Sequence, residues 1–247
     1  MSWHQAIGLI STIALFAPVF AILYFKMYPY KNYLPLLAYC LFAFSYNLMT
    51  EGYIILPRNI QRYTGIFTNI FDFPLVFMFI MLFSTSAANT KRMKMLFWIF
   101  ILFEIFIIAL KGITILSITI IMGPGILLVF AFALMFFVKY IKRGFAHQKA
   151  LGKALMASAI CFAYGCFLFI YIMYYLFKLP ESPYIFAAYF IITIIYCSLL
   201  TAGIVIESKR KRKLEELLIT KKELLRFFGD QKKPAAPKGA TGQWKFN

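Results

Sequence analysis

Acidic side chains are the scarcest feature of this 247-residue chain, with nine Asp and Glu against 26 Lys and Arg. Charged residues of either sign make up only 14% of it, where a soluble domain carries about 25%. A surface that poor in charge excludes an ordinary soluble globular protein. Histidine is nearly missing as well: His4 and His147 are the two in the chain, so a His-based metal site has few ligands to draw on. The four cysteines, Cys40, Cys161, Cys166 and Cys197, all fall in apolar runs, where a structural disulfide framework is not expected. H-E-x-x-H, G-x-S-x-G, Walker and strand-borne G-x-G-x-x-G patterns are absent. The expectation is a non-enzymatic protein with no metal and no cofactor.

What the chain has instead is apolar length, with 62% hydrophobic and 19% aromatic residues. A bilayer core about 30 Å thick requires roughly 17–25 mainly apolar residues per helix, because each backbone polar group inside it must be satisfied within the segment. Seven stretches qualify: 6–24, 33–55, 64–86, 95–110, 115–138, 154–177 and 184–206. Residues 95–138 carry only Glu104 and Lys111 as charges, but one helix over that whole length would reach about 66 Å, too long for one crossing. Lys111-Gly112 is therefore read as a turn. A transmembrane barrel would need short strands alternating apolar and polar residues, and these runs are apolar on all sides. The predicted fold is all-α: a polytopic integral membrane protein of seven transmembrane helices.

The basic residues set its orientation. Twenty-two of the 26 Lys and Arg fall on the side shared by the first, third and fifth connections and the tail, and positive loops are retained in the cytoplasm. The N-terminus is thus expected outside, the C-terminus in the cytoplasm, and the protein in a cell (plasma or inner) membrane. The first apolar run lacks a basic leader and a small-residue cleavage site, so it reads as a retained helix rather than a signal peptide.

The chain divides into a transmembrane bundle over 1–206, a basic amphipathic juxtamembrane helix over 207–229 and a flexible basic tail over 230–247. The second segment opens with Lys209-Arg210-Lys211-Arg212-Lys213 and continues through Leu214, Leu217, Leu218, Leu224, Leu225 and Phe228. Its charges suit anionic cytoplasmic headgroups, at about 1 kcal/mol each. Its apolar face, with Trp244 and Phe246 beyond it, suits docking to a partner, whether a membrane-protein complex or a homo-oligomer. Charge concentrated beside a membrane gives no reason to expect nucleic acid.

In lipid, small and polar residues mark the faces where helices meet. Such stripes appear as Cys40, Ala43, Asn47, Thr50 and Glu51 in helix two, and as Gly65, Thr68, Asn69 and Asp72 in helix three. Helix six carries Ala154, Ala157, Ser158, Cys161 and Gly165, and helix seven carries Tyr189, Thr193, Tyr196 and Cys197. Helices two, three, six and seven are therefore expected to form the interior. Gly123-Pro124-Gly125 within helix five predicts a kink or short unwinding, since proline removes a helical hydrogen bond.

Four acids precede the tail: Glu51, Asp72, Glu104 and Glu181. Asp72 and Glu104 fall inside spans, where an Asp costs at least about 2.5–3.5 kcal/mol and is normally paired, protonated or facing a cavity. Asp72 is read either as a proton, cation or cationic-ligand site, with Arg62 near the same helix end, or as a structural hydrogen bond to Asn47, Thr50 or a tyrosine. Glu104 is read as a second pathway residue or as a carboxyl paired with Lys111. Glu51 and Arg58 are expected to pair in an outer vestibule. Asp72, Asn69, Thr68 and Asn47, with Tyr164, Tyr189 and Tyr196, would line an aromatic pocket between helices. Tyr174, Tyr175 and Tyr184, near span ends, read as interfacial belt residues.

The Arg62-Tyr63 pair, followed by Asp72 and Pro74 in helix three, resembles microbial rhodopsins. Helix seven has no lysine for a retinal Schiff base, so the resemblance implies neither pigment nor family. Two readings follow: a receptor, sensor or accessory subunit that binds a ligand or membrane partner and docks others through its tail, or a small-solute, proton or cation transporter using Asp72 and Glu104.

Overall fold

The computed structural model describes residues 3–30, 33–146, 150–177 and 183–229. All regular structure among them is helical. The seven helices are α1 (Trp3–Tyr24), α2 (Tyr33–Thr50), α3 (Arg58–Ile80), α4 (Ala87–Lys111), α5 (Ile115–Ala146), α6 (Leu151–Tyr171) and α7 (Pro183–Gly229). A 3-10 turn, Met81–Phe83, closes α3, and a wide π turn, Ile172–Leu176, extends α6. All seven helices are long and apolar enough to cross a membrane. The chain is a multi-pass, all-helical membrane protein.

Helix ends and hydrophobic ends differ in both directions. α4 begins at Ala87 and takes in Lys91, Arg92 and Lys94, and α5 runs on to Ala146 past Lys139 and Lys142. A charge marks where a helix leaves the bilayer, whereas the backbone goes on hydrogen-bonding to itself in water. α2, by contrast, stops at Thr50 inside an apolar run that continues to residue 55. Gly52 ends it, with φ 78° in the left-handed region that glycine adopts at no steric cost. Gly112, with φ 70°, makes the turn between α4 and α5 in the same way.

The chain divides into two compact units, 1–208 and 209–247. In the first, α1 packs on α2 and α2 on α3. α3 then packs against α5, and the most extensive pairing is α5 with α6. The expectation that α2, α3, α6 and α7 make the interior is therefore incomplete, because α5 belongs to it. Ile118, Ile121, Ile126, Val129, Ala133, Phe136 and Tyr140 are buried about once per turn along α5. That inner face uses the same Ile, Val and Phe as a lipid-facing surface, so no small or polar stripe signals it.

α4 stands at the rim, touching α5 and a little of α3. It buries Met93, Phe100 and Glu104 and exposes Trp98, Ile99, Leu102, Ile105 and Phe106. α6 and α7 cross closely at two glycines. A Cβ added to Gly203 would lie 2.6 Å from Met156 Cγ and 3.0 Å from the Gly152 carbonyl oxygen. One added to Gly152 would lie 2.8 Å from the Glu207 backbone nitrogen. This is the close backbone approach that small residues permit in lipid.

At the end of the bundle away from the N-terminus, Tyr140 donates a 2.6 Å hydrogen bond to the Phe83 carbonyl, and Lys139 Nζ donates one of 2.8 Å to Thr85 Oγ1. The second unit is described over residues 209–229, which are part of α7. Leu214, Leu217, Leu218, Ile219 and Leu224 are exposed there. Arg212 and Glu216 face each other at 3.9 Å on its surface, a pair worth a few tenths of a kcal/mol at most. The side chains of Leu225 and Phe228, and all of Trp244 and Phe246, lie outside the described residues.

Candidate functional site

A cavity of about 510 Å³ lies in the half of the bundle that carries the N-terminus. α1 contributes Ser11 and Leu15 to its wall, and α2 contributes Tyr39, Ala43, Tyr46, Asn47 and Thr50. α3 supplies Thr68, Asn69 and Asp72, and α5 supplies Met122 and Ile126. The rest of the wall comes from Phe167, Ile170 and Tyr171 of α6, Tyr174 and Tyr175 of the π turn, and Tyr189, Phe190, Thr193 and Tyr196 of α7. Seven of these are tyrosines and Asp72 is the one charged residue among them.

Beneath the cavity the bundle is solid. Leu36, Val76, Phe77, Phe79, Ile80, Val129, Met156, Ile160 and Leu200 are fully buried there. A carboxylate in this setting needs a partner, because an unpaired buried charge is costly. Asp72 has one: the Tyr164 hydroxyl donates a 2.7 Å hydrogen bond to its Oδ1. Tyr39 is a further neighbour of Tyr164. Tyr164 itself is 1% exposed, so it stands behind Asp72 as its support rather than in the wall. Oδ2 of Asp72 accepts no hydrogen bond among the described residues. Tyr196 lines the same cavity, and its buried hydroxyl also has no hydrogen-bond partner there.

The other polar side chains of the wall are mostly satisfied by their own helices. Thr68 bonds to the Thr64 carbonyl at 2.9 Å, Asn69 to that of Gly65 at 2.8 Å and Thr193 to that of Tyr189 at 2.8 Å. Asn47 reaches across instead, donating from Nδ2 to Thr12 Oγ1 at 2.7 Å and so tying α2 to α1. Aromatic pairs stiffen the wall: Phe167 stacks on Tyr189 at 5.6 Å between ring centres, and Tyr171 leans on Tyr175 at 5.0 Å.

Gly123-Pro124-Gly125 lies inside an unbroken α5, so of the expected kink or short unwinding, the unwinding does not occur. The segment provides a seat instead. A Cβ at Gly123 would come within 2.6 Å of the Tyr171 hydroxyl, which donates at 3.0 Å to the Thr119 carbonyl. Proline weakens hydrogen bonding in the preceding turn, and this side chain supplies a donor to that turn. Gly125 similarly admits the Phe100 ring, 3.2 Å from where a Cβ would be.

Of the residues singled out from the sequence, Asp72, Asn69, Thr68, Asn47, Tyr189 and Tyr196 share this one wall, with Tyr164 behind it. Glu104 is not among the lining residues. It is 4% exposed on the inner face of α4, with Oε1 lacking any hydrogen-bond partner among the described residues, and it makes no ion pair with Lys111 there. Arg62 is exposed near the start of α3, almost three turns before Asp72, and the carboxylate takes Tyr164 instead. Glu51 does not pair with Arg58 among the described residues; its carboxylate lies over Gly8 of α1. Tyr174 and Tyr175, read as belt residues near a span end, lie on the π turn and line the cavity wall. The side chain of Tyr184 lies outside the described residues.

Tyr39, Tyr46 and Tyr171 were not legible as wall residues. Aromatic residues are so common in this chain that none stands out, and the first two stand beside the polar stripe of α2 rather than in it. Ser11 and Thr12 within an apolar helix were the signal for the contribution of α1. The class these features define is a seven-helix membrane bundle with a one-ended aromatic cavity around an aspartate. Compared with known families, with curated proteins and with solved structures, the chain matches none.

Proposed function

We propose that this is a non-enzymatic membrane protein of receptor, sensor or accessory-subunit type, which takes a small ligand into the Asp72 cavity. The observation that carries the reading is the cavity itself: about 510 Å³, within the 300–1,000 Å³ of small-ligand sites, mainly aromatic, with a carboxylate at its base and solid packing beneath. The basic bias of the opposite connections and tail supports an extracytoplasmic mouth and a cytoplasmic C-terminus in a cell membrane. The basic segment after Ser208 then docks on anionic headgroups, and its exposed leucines engage a membrane-protein partner.

Removing residues 209–247 is expected to release the native partners while leaving the bundle folded, because the chain divides into compact units at that point. Native purification of full-length and shortened protein, followed by mass spectrometry, checks this. If the shortened chain keeps every partner and the cell's phenotype is unchanged, the docking role is lost.

The alternative is a proton, cation or small-solute transporter. It is favoured by one observation, a carboxyl oxygen of Glu104 within the membrane region that has no partner among the described residues. Flux into proteoliposomes that Asp72→Asn and Glu104→Gln each abolish would establish it over the receptor reading.

A further inference from the structure

We infer that the ligand is a small arylalkyl amine, protonated to a primary or secondary ammonium with at least two N–H donors, held by Asp72 and Tyr196. This deepens the reading of the cavity as a ligand site and rests on it.

The charge of the wall is purely negative, so a cationic group is complemented and an anionic one repelled. The carboxylate is half used: Tyr164 occupies Oδ1, which fixes the orientation of the group and leaves Oδ2 to a ligand. Tyr196 closes the argument about donors. Its hydroxyl is buried without a partner among the described residues, and a buried polar group left so is destabilising. Asp72 and Tyr196 line the same cavity. An ammonium seated on Oδ2 brings a second N–H to the Tyr196 oxygen, a pairing that a quaternary ammonium, having no N–H, does not offer. The remaining wall is aromatic, with the stacked Phe167 and Tyr189 rings and the Tyr171 and Tyr175 pair. Such faces attract a cation within about 6 Å and pack flat against an aryl body.

The test compares phenethylamine with 2-phenylethanol, its neutral counterpart of the same shape, by calorimetric titration of the full chain in lipid nanodiscs. The amine is expected to bind at least about tenfold tighter, the scale of a hydrogen bond to a charged group. Asp72→Asn should remove that preference and Asp72→Glu should keep part of it. Tyr196→Phe should weaken the amine severalfold without altering the alcohol. Helical circular dichroism and a single elution peak establish that each variant is folded.

Equal binding of amine and alcohol, an amine affinity unchanged in Asp72→Asn, or no amine binding at all overturns the assignment. Ala43→Trp, which fills the cavity, separates this failure from that of the site. If it abolishes binding of an alcohol that binds as well as the amine, the cavity stands and the amine falls. If binding to Ala43→Trp equals binding to wild type, both fall.

Discussion

Gly203→Val is expected to lower the melting temperature of the purified protein by about 6–12 °C, corresponding to about 3 kcal/mol at roughly 2–4 °C per kcal/mol for a chain of this size. The new Cβ alone would meet Met156 Cγ at 2.6 Å, with the Met156 nitrogen and the Gly152 carbonyl oxygen each at 3.0 Å. Two of those three atoms are backbone, so the contact is relieved only by moving α7 away from α6. Such a movement also disturbs Tyr164 and Tyr196, which stand on these two helices at the base of the cavity. Thermal unfolding followed by circular dichroism or by fluorescence-detected size exclusion measures the change. A variant that melts with wild type would show that the helices do not approach so closely.

Glu104→Leu has the opposite expected sign. Oε1 of this side chain is buried with no partner among the described residues, and the inner face of α4 around it also buries Phe100. Leucine fills a similar volume without a polar atom to desolvate. The protein should gain about 1–3 kcal/mol against unfolding in a denaturing-detergent titration, with ligand binding unchanged. A loss of stability would mean that the carboxyl holds a structural bond. Gained stability with lost proteoliposome flux would give Glu104 to the transporter reading.

How much of this was legible in the sequence follows from how membrane proteins encode structure. The seven spans were plain because backbone satisfaction in lipid forces long apolar helices, and the α4–α5 turn was plain because Lys111-Gly112 interrupts one. The polar part of the cavity wall was legible for a related reason. Polar residues within a span are costly to turn toward lipid, so Thr68, Asn69 and Asp72 at helical spacing mark an inward face. The failures have the same origin. α5 buries Ile, Val and Phe against α6, and lipid-facing residues have the same composition, so its central place left no trace. Tyr174 and Tyr175 reach the wall through a π turn that residue identities do not announce. The pairing of Asp72 was foreseen only as one of several partners, because choosing Tyr164 requires the register of α6 against α3.

The central claim is that the Asp72 cavity opens to the extracytoplasmic side. Its most direct test is labelling of single cysteines, in a background freed of the four native ones, by a membrane-impermeant maleimide applied to intact cells or spheroplasts. Thr50→Cys stands in the cavity wall at the end of α2, and Lys91→Cys is exposed near the start of α4, at the other end of the bundle. Thr50→Cys should react in sealed cells and Lys91→Cys only after permeabilisation. The reverse pattern would place the cavity mouth in the cytoplasm and contradict the account.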